Sequence, residues 1–381
     1  MTKKRLLILS FPRMESDARI VRQLNALVRD FDVTTCGEGP KPHAGVVEHI
    51  ELVRGGTFAT RHLQGVLLNL KLYELAYSLI PQVAEARKRL RGRDFDVVLA
   101  NDLPAAGVAA TIVPNDRIHL DLHEYWPGLH DDVERWRKIR RPHYVWMLKK
   151  YAAHARGHST VNEAIADRYE KEFGFRSDVV ANAAPFRADL RPAAVADSIR
   201  MVHSGGVNPG RRIDVMMRAV AAASIDVSLD LYLVGKGSDT YQQLERLAEE
   251  LGDRVRILPP VTQAELVSTL NAYDVGIHVL APTCTNNKLA LPNKFFDFVQ
   301  ARLAMITGPT EAMVEILRER DLGIVSDGFG QEAVTAAINS LTSEAVTSFK
   351  QHADVAAEEL GAERQIPVWR RSIDAIAGVA K

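Results

Sequence analysis

Short apolar runs alternate with amphipathic helical segments along this chain, and this alternation restricts its fold more than any other feature. The run Arg5–Ser10 has the length of a strand, the amphipathic segment Arg19–Arg29 follows, and Phe31–Thr35 is the next apolar run. A strand, a helix and a second strand in this order predict a parallel sheet covered by helices. The alternation resumes at Ile199, after Ala183–Ser198, a segment rich in Ala and Pro that is typical of a linker. The pattern therefore predicts an α/β chain with two doubly wound domains.

Length and composition agree with two domains and exclude several classes of protein. A chain of 381 residues exceeds what one core usually supports, so two domains of about 150–200 residues are expected. Residues 1–190 hold 29 Lys and Arg against 24 Asp and Glu, and residues 191–381 hold 19 against 24. This modest polarity argues against general nucleic-acid binding. The two cysteines, Cys36 and Cys284, are too few for a disulfide framework or a structural zinc site, and they predict a reducing compartment.

The stretch from residue 282 to residue 310 combines a polar loop, a helix and a strand. The loop ends at Pro292, a helical run covers Lys294–Leu303, and a strand is predicted at Ala304–Thr307. Proline suits the first turn of a helix, and the free N–H groups of that turn attract anions. Lys294 could neutralise a phosphate, and Asp297, one turn into the helix, could accept hydrogen bonds from vicinal hydroxyls. Together these residues indicate a nucleotide-sugar pocket.

The same stretch resembles a motif of a known enzyme family. The run Leu291–Asp297 is similar to the Pro-Asn-Lys-x-x-Glu segment of retaining glycosyltransferases with the GT-B fold. Asp297 stands at the second Glu of the family's Glu-x7-Glu motif and, by this resemblance, holds the ribose of the donor. The first Glu of that motif is missing, because Leu289 occupies its position. The donor-binding residues expected here are Pro292, Asn293, Lys294 and Asp297, with Asn286 and Asn287 expected to replace the missing sugar contact.

A glycine-rich loop, Ser204–Arg212, lies between a predicted strand, Ile199–His203, and a predicted helix, Ile213–Ala223. Glycines let backbone amides approach phosphates, and arginines supply fixed cationic groups. The loop resembles the family's second-domain loop of Gly-Arg, a spacer and Lys-Gly, in which Arg211 takes the Lys position. Gly206 and Arg212 depart from the family's Arg and Gly, so one phosphate-binding charge has moved unless Arg212 compensates. The resemblance adds Gly205, Gly206, Arg211, Arg212, Gly235 and Val261 to the expected donor-binding residues.

The first domain carries its candidate residues at the end of a strand. The apolar run Ile118–Leu122 delivers His123 and Glu124 to the carboxyl edge of the predicted sheet, which is the usual ligand edge. The run Asp121–Glu124 resembles the Asp-x-His-Glu turn of the same family, where the His lies beside the transferred sugar and the diphosphate. We therefore expect His123 and Glu124 to be the catalytic residues. The alternative is a structural histidine.

Two long helical segments are predicted in the first domain. Arg61–Arg91 has apolar residues at helical spacing and a basic end. Glu134–Arg156 holds eight Lys and Arg, one Glu, two Trp and two Tyr. Basic residues interleaved with aromatic residues favour an anionic interfacial partner, such as a membrane surface or a lipid-linked acceptor. The alternative is an exposed helix with solvated charges, and nothing else in the chain supports a nucleic-acid partner.

The residues and the resemblance together predict a GT-B glycosyltransferase, with two Rossmann-like domains that face each other across a cleft. The expected domains are residues 1–185 for the acceptor, residues 199–365 for the nucleotide sugar, and a helix at residues 366–381 that crosses back to the first domain. The expected reaction transfers a sugar from a UDP- or GDP-linked donor to a glycan or lipid-linked acceptor, with retention, in surface polysaccharide or glycolipid synthesis. The resemblance implies no cofactor and no metal ion.

Two alternative functions remain open at this stage. One is a sugar-nucleotide epimerase of the same fold, and the other is a nucleotide-sugar-binding protein without turnover, which the missing Glu would suit. A nicotinamide oxidoreductase is not expected, because the first loop contains no Gly-x-Gly-x-x-Gly. No apolar run approaches the ~18 residues of a transmembrane helix. We therefore expect a cytoplasmic protein, peripheral at the inner face of a membrane.

Overall fold

The computed structural model describes residues 2–53 and 55–379 of the chain, and it forms two compact units. The first unit comprises residues 1–181, 284–286 and 365–381, and the second comprises residues 182–283 and 287–364. Each unit is built on one parallel sheet with helices, so the prediction of an α/β chain with two doubly wound domains is confirmed.

The sheet of the first unit has the strand order β3-β2-β1-β4-β5-β6-β7, and all neighbouring strands are parallel. The elements in chain order are β1 (Lys4–Arg13), α1 (Ala18–Leu27), β2 (Phe31–Glu38), β3 (Glu48–Glu51), α2 (Phe58–Asn69), α3 (Tyr73–Ser78), α4 (Pro81–Leu90), β4 (Val97–Asn101), α5 (Leu103–Ile112), β5 (Ile118–Leu122), α6 (Glu134–Lys150), β6 (Gly157–Thr160), α7 (Glu163–Phe173) and β7 (Asp178–Val179).

Local sequence explains why the first elements form. The side chains of Leu6 and Ile8 in β1 are fully buried, which suits a strand covered by helices on both faces. Helix α1 begins after Asp17, whose carboxylate accepts hydrogen bonds from the backbone N–H groups of Arg19 and Ile20. The apolar face of α1 then packs on β1, together with side chains from the end of the chain.

The sheet of the second unit has the order β10-β9-β8-β11-β12-β13 and is also parallel. Its elements, with the two helices that cross the division between the units, are β8 (Ile199–Gly206), α8 (Ile213–Ala221), β9 (Val227–Val234), α9 (Asp239–Leu251), β10 (Val255–Leu258), α10 (Gln263–Leu270), β11 (Val275–His278), α11 (Thr285–Lys288), α12 (Asn293–Gln300), β12 (Ala304–Thr307), α13 (Glu311–Glu319), β13 (Gly323–Val325), α14 (Gln331–Asn339), α15 (Ser343–Ala356) and α16 (Ala362–Ala377).

The strand order of each sheet reverses beside its first strand. Strand β1 lies between β2 and β4, and β8 lies between β9 and β11. Doubly wound sheets bind ligands at the carboxyl ends of the strands beside such a reversal. These ends carry Asn101 as the last residue of β4, with Asp102 directly after it. They also carry Gly205 and Gly206 in β8, and His278 in β11.

The prediction of one long helical segment at Arg61–Arg91 is wrong, because this segment forms three helices. Helix α2 ends before Lys71, which adopts a left-handed φ of 57°. Helix α4 begins at Pro81, and the residue before it, Ile80, is extended. A proline disfavours helical geometry in the residue that precedes it and suits the first helical position, so it separates two helices here.

Other boundaries differ by less. Strand β8 continues to Gly206, where a strand end at His203 was predicted, and the basic helix α6 ends at Lys150. The polar loop before α12 contains the one-turn helix α11, and Pro292 caps α12 instead of lying in its first turn. Strand β3 and the elements from α13 to α15 were not predicted. The last helix begins at Ala362, earlier than the predicted start at residue 366.

The structure also bears on membrane insertion. Among the helices of the described residues, none combines the length and the apolar character that crossing a bilayer requires.

Candidate functional site

The first unit places His123 between two carboxylates at the carboxyl edge of its sheet. The imidazole Nδ1 lies 3.4 Å from an Asp102 carboxylate oxygen, and Nε2 lies 3.4 Å from a carboxylate oxygen of Asp121. The backbone N–H of His123 donates to the Asp102 carboxylate at 3.1 Å. The His123 side chain is 15% exposed and that of Asp102 is 20% exposed. The ring is therefore held in place and still reaches the ligand edge.

Asp121 is fully buried and joins several elements of the first unit. Its two carboxylate oxygens accept from Nε and Nη2 of Arg19, each at 2.7 Å. Further hydrogen bonds come from Ser159 Oγ at 2.6 Å and from Gln23 Nε2 at 2.8 Å. Burial alone would raise the pKa of Asp121, but Arg19 and the other donors outweigh it and hold this pKa well below its usual value. Asp121 is therefore a permanent anion beside His123.

The two carboxylates decide the charge of His123. Burial favours the neutral imidazole, but Asp102 and Asp121 outweigh burial, and the pKa of His123 lies above its ordinary value of 6.5. A charged imidazole donates hydrogen bonds from both nitrogens and accepts none. A raised pKa favours this charged form, which can stabilise negative charge and cannot accept a proton as a general base.

Asp102 was not among the expected site residues. It follows β4 and has a φ of 66°, a left-handed conformation that is uncommon for a residue with a side chain. Its carboxylate faces His123 and lies 3.4 Å from Trp126 Nε1. Its position after a strand is visible in the sequence, but its backbone conformation is not.

Glu124 and Asn286 lie together in the first unit. The side-chain amide of Asn286 donates to the Glu124 carboxylate, and its oxygen accepts from the backbone N–H of Tyr125 at 2.8 Å. The neighbouring Thr285 donates from its backbone N–H to Asp131 at 2.8 Å. Asn286 thus supports the turn after His123, and its side-chain oxygen already has a partner.

The second unit gathers two cations at the end of β8. A Cβ built on Gly205, which has a φ of 128°, would lie 2.5 Å from Lys294 Nζ and 3.5 Å from Arg211 Nη1. Only glycine therefore leaves room for the Lys294 ammonium at this point. Arg211 Nη1 donates to the carbonyl oxygen of Gly206 at 2.9 Å. The two glycines therefore lie beside Lys294 and Arg211, as the sequence predicts.

Burial and a neighbouring cation disfavour the charged form of Lys294. Burial, and then the charge of Arg211, lower the pKa of Lys294 to about 7, while Asp297 alone acts to raise it. Asp297 is buried inside α12. An anion bound at this point would favour the charged lysine, because it would replace lost hydration and offset the repulsion from Arg211.

The other expected donor residues do not all join this cluster. The exposed Arg212 guanidinium pairs with Asp214, with a shortest N···O distance of 3.2 Å. Asn287 donates to the carbonyl oxygen of Ala281 at 3.3 Å and to Thr283 Oγ1 at 3.2 Å. The remaining members lie at loop ends: Gly235 after β9, Val261 after β10, and Pro292 and Asn293 at the start of α12.

Two stacked histidines lie at the strand reversal of the second unit, and sequence reasoning missed their pairing. The rings of His203 and His278 have centroids 5.5 Å apart at 20°. Both side chains are buried, and His203 Nδ1 donates to the Ile277 carbonyl at 2.8 Å. Burial, and then Lys294, lower the pKa of His203 to about 3 and hold the pKa of His278 well below 6.5. Both rings are therefore neutral and add no charge beside Lys294.

Three side chains that could ligate a metal ion come together in the first unit, namely Asp131, Asp132 and Cys284, whose ligand atoms lie within 4.8 Å of one another. Asp131 already accepts hydrogen bonds from the backbone N–H and the Oγ1 of Thr285. These bonds account for the position of Asp131 without a metal ion, and Asp132 is exposed.

Comparison with known proteins gives one family match. Residues 198–344 match the family model described as Glycosyl transferases group 1. This segment contains Gly205, Arg211, Lys294 and Asp297. No curated protein matches the chain.

Three solved structures are similar over the whole chain. The structure of HepE from Anabaena in complex with UDP-glucose has a TM-score of 0.72 and 14% identity, and covers 98% of this chain and 100% of HepE. Sucrose-phosphate synthase from Thermosynechococcus elongatus has a TM-score of 0.70 and 14% identity, with 98% and 100% covered. WaaG, a glycosyltransferase involved in lipopolysaccharide biosynthesis, has a TM-score of 0.63 and 13% identity, with the same coverage. These similarities confirm the predicted GT-B fold.

The charge of His123 gives a first prediction. Replacing Asp102 by Asn removes one carboxylate that favours the imidazolium, so we expect the pKa of His123 to fall towards or below 6.5. An NMR titration of the imidazole signals measures this pKa directly. Because the folded-state pKa is raised, the stability that His123 contributes is complete below its unfolded pKa and is lost as pH rises through the folded pKa. The exposed Asp116, replaced by Asn, is the control, and an equal pKa in all three proteins would contradict the assignment.

The pKa of Lys294 gives a second prediction. Without a bound ligand, Lys294 is about half charged near pH 7. A bound diphosphate should hold it fully charged. Nucleoside-diphosphate affinity should therefore fall as pH rises above 7, by up to about tenfold per pH unit. The variant Lys294→Arg stays charged and should lose this dependence, which separates it from ionisation of the ligand. Calorimetry at several pH values measures both proteins, and identical slopes would contradict the prediction.

Proposed function

We propose that this chain, whose residues 198–344 match the family model of the group 1 glycosyl transferases and which has the GT-B fold, moves a sugar from a nucleotide-sugar donor to an acceptor hydroxyl. The observation that carries the proposal is the cluster of Lys294 and Arg211 against Gly205. This cluster lies at the strand reversal of a doubly wound sheet, where such sheets bind nucleotides.

The chemistry that the cluster supports is stabilisation of a leaving group. As the bond between the sugar carbon and the donor phosphate oxygen breaks, the departing nucleoside diphosphate gains negative charge. Fixed cations stabilise that charge without reorganisation, which is the largest contribution in many such reactions. Lys294 and Arg211 supply the cations in the second unit. The family resemblance supports a role for His123, whose raised pKa favours the imidazolium, as a further cation beside the transferred sugar and its diphosphate.

The proposed stereochemical outcome is retention. The acceptor hydroxyl attacks the sugar carbon from the side of the leaving group, and its proton passes to an oxygen of the departing phosphate. The new bond joins the acceptor oxygen to the sugar, and the products are the glycoside and the nucleoside diphosphate. This route needs no general base from the protein, which agrees with the charge of His123.

For the donor we propose a UDP- or GDP-linked sugar, used without a cofactor or a metal ion. The HepE structure that this chain resembles contains UDP-glucose, and this supports the uridine nucleotide as the first to test. For the acceptor we propose a glycan or a lipid-linked glycan in surface polysaccharide or glycolipid synthesis. WaaG, with the same fold, acts in lipopolysaccharide biosynthesis, which supports this choice. A cytoplasmic location follows from this proposal.

A binding protein without turnover is the second candidate function, because Leu289 stands at the position of the family's first Glu. A sugar-nucleotide epimerase is the third. Incubation with donor alone changes the sugar only for an epimerase. Incubation with donor and glycan acceptors yields a nucleoside diphosphate and a longer glycan only for a transferase.

The cationic cluster gives a third prediction. Replacing Lys294 or Arg211 by Ala should weaken nucleoside-diphosphate binding by about 2–3 kcal/mol, because each removes a charge-assisted hydrogen bond from a partly buried site. The matched control is Arg218→Ala, since Arg218 is an exposed arginine on α8 and should leave binding unchanged. Thermal-shift screening of UDP-, GDP-, ADP- and CMP-sugars selects the nucleotide, and calorimetry measures the losses. Wild-type affinity in both Ala variants would remove the donor site from this cluster.

Asp297 and the two asparagines give a fourth prediction, in which each residue has a separate role. Asp297→Asn should weaken the free nucleoside diphosphate and the full donor equally, because we assign Asp297 to the ribose. Asn287→Ala should weaken only the full donor, because we assign its amide to the sugar. Asn286→Ala should lower the melting temperature through loss of its bonds to Glu124 and Tyr125. If Asn287→Ala weakened the free nucleotide as strongly as the full donor, its assignment to the sugar would be wrong.

A further inference from the structure

Helices α2 and α3 expose an unusual number of large apolar side chains. Twelve large apolar residues of the described chain are exposed, and six of them lie within residues 58–75. Isolated apolar residues are normal on a soluble surface, but a concentration of them marks an interaction site. These residues are Phe58 at 86% exposure, Leu63 at 48%, Val66 at 41%, Leu70 at 63%, Leu72 at 45% and Leu75 at 55%.

Three of these side chains form a stripe on α2 and its C-terminal cap. Leu63, Val66 and Leu70 are separated by three and four residues, so they lie on one side of the helix. The same helix contributes Leu68 to the interior, where it is 2% exposed. Helix α2 is therefore apolar on its outer face as well as on its inner face, and the protein covers only the inner one.

Cations predominate around this face. No Asp or Glu occurs between Glu51 and Glu74, while Arg61 and Lys71 are exposed there. Glu74 is bound by Lys150, whose Nζ lies 2.5 Å from its carboxylate, and by the Tyr151 hydroxyl. The field at the surface of α2 is therefore set by cations.

Helix α6 extends this basic surface. A cavity of about 400 Å³ separates the end of α2 from the start of α6, and it is lined by Leu68, Asn69, Lys71, Tyr73, Glu134, Arg135, Lys138 and Ile139. The exposed cation Lys149, eleven residues after Lys138, continues the same side of α6. We call the surface formed by α2, α3 and the exposed cations of α6 the basic apolar face.

The sequence predicts that the aromatic residues of α6 take part in an interfacial surface. In the structure they do not contribute to the basic apolar face. Trp146 packs against Tyr73 and His143, with ring centroids 6.0 and 5.8 Å apart. Trp136 and Tyr144 pack on each other at 5.7 Å. These rings are partly buried within the first unit. The exposed apolar groups come from α2 and α3, and α6 supplies the charges.

We propose that the basic apolar face docks on the surface of an anionic lipid bilayer. Leu63, Val66 and Leu70 enter the boundary between headgroups and acyl chains, and Lys71 with Arg135 lies at the lipid phosphates. Apolar burial and attraction to anionic lipids together give surface binding of this kind. The charge complementarity favours a bilayer over a second copy of the chain, because two basic faces repel each other. This inference goes beyond the proposed function, since it involves no residue of the donor cluster.

Co-sedimentation of the full chain with vesicles tests the proposal. Wild-type protein should sediment with vesicles of phosphatidylcholine and phosphatidylglycerol, and at least tenfold less with phosphatidylcholine alone. The variant Leu63→Glu, Val66→Glu, Leu70→Glu should lose at least tenfold in partitioning to the anionic vesicles. The matched control is Gln351→Glu, Val355→Glu, which places the same kind of charge on exposed residues of the second unit, where Val355 is 83% exposed. This control should bind as the wild type does.

Two further arms separate the contributions and protect the test against misfolding. Phe58→Ser changes one side chain that is 86% exposed, so it should fold normally and still weaken binding severalfold. Arg135→Glu with Lys138→Glu should abolish the preference for anionic lipid, and salt should weaken the wild type because it screens exposed charges. Nucleoside-diphosphate affinity should be unchanged in every variant, so a failed donor site and a failed membrane site are distinguishable.

Three outcomes would overturn the proposal. The wild type could fail to sediment with anionic vesicles at low salt. The control pair could lose as much binding as the Leu63, Val66 and Leu70 variant. Light scattering could show a dimer that this variant dissociates, which would assign the basic apolar face to a second copy.

Discussion

The buried carboxylate of Asp121 is the interaction on which the first unit depends most. Arg19 binds both of its oxygens, and Arg19 and Asp121 are 3% and 0% exposed in their side chains. Removing one partner of such a pair strands a buried charge and typically costs about 3–5 kcal/mol. The pair ties α1 to β5, although 102 residues separate its members. The same carboxylate faces His123, so the interaction that stabilises the fold also sets the charge of the candidate catalytic residue.

The two units treat their cations in opposite ways. In the first unit, the imidazolium of His123 faces two carboxylates, so its charge is balanced locally before any ligand arrives. In the second unit, Lys294 and Arg211 repel each other, and of the groups that shift the pKa of Lys294 only Asp297 favours its charge. An incoming anion therefore gains more at Lys294 than at His123. Under the proposed function, the main affinity for a diphosphate therefore lies in the second unit, although residues 191–381 have more Asp and Glu than Lys and Arg.

Sequence patterns predicted the framework well, because strands of a parallel sheet are short, apolar and bounded by polar residues. The runs Ile118–Leu122 and Ala304–Thr307 match strands β5 and β12 at both ends. The neighbouring positions of Gly205, Arg211 and Lys294 also followed from the family resemblance. Boundaries failed where backbone conformation decides them, as at Lys71, whose left-handed φ interrupts an apolar pattern that continues through it.

Other features depend on tertiary contacts that no local pattern contains. Asp102 becomes part of the site because β4 and β5 are adjacent and its φ turns the carboxylate to His123. The His203 and His278 rings meet because β8 pairs with β11, where the Cα partner of Val202 is Gly276, 74 residues later in the chain. Sequence spacing gives neither adjacency. It gives the residue types, and the order of strands in the sheet decides which of them meet.

The basic apolar face is a further feature that the local sequence pattern does not determine. Helical spacing identified the apolar residues of α2, and the usual inference is that such residues are buried. That inference needs a partner surface, and a helix that is apolar on two sides requires two. In the first unit the interior covers Leu68, whereas Leu63 and Leu70 remain at 48% and 63% exposure. A pattern of apolar residues therefore predicts that a helix seeks apolar contact, and only the fold determines whether the chain itself or another surface provides it.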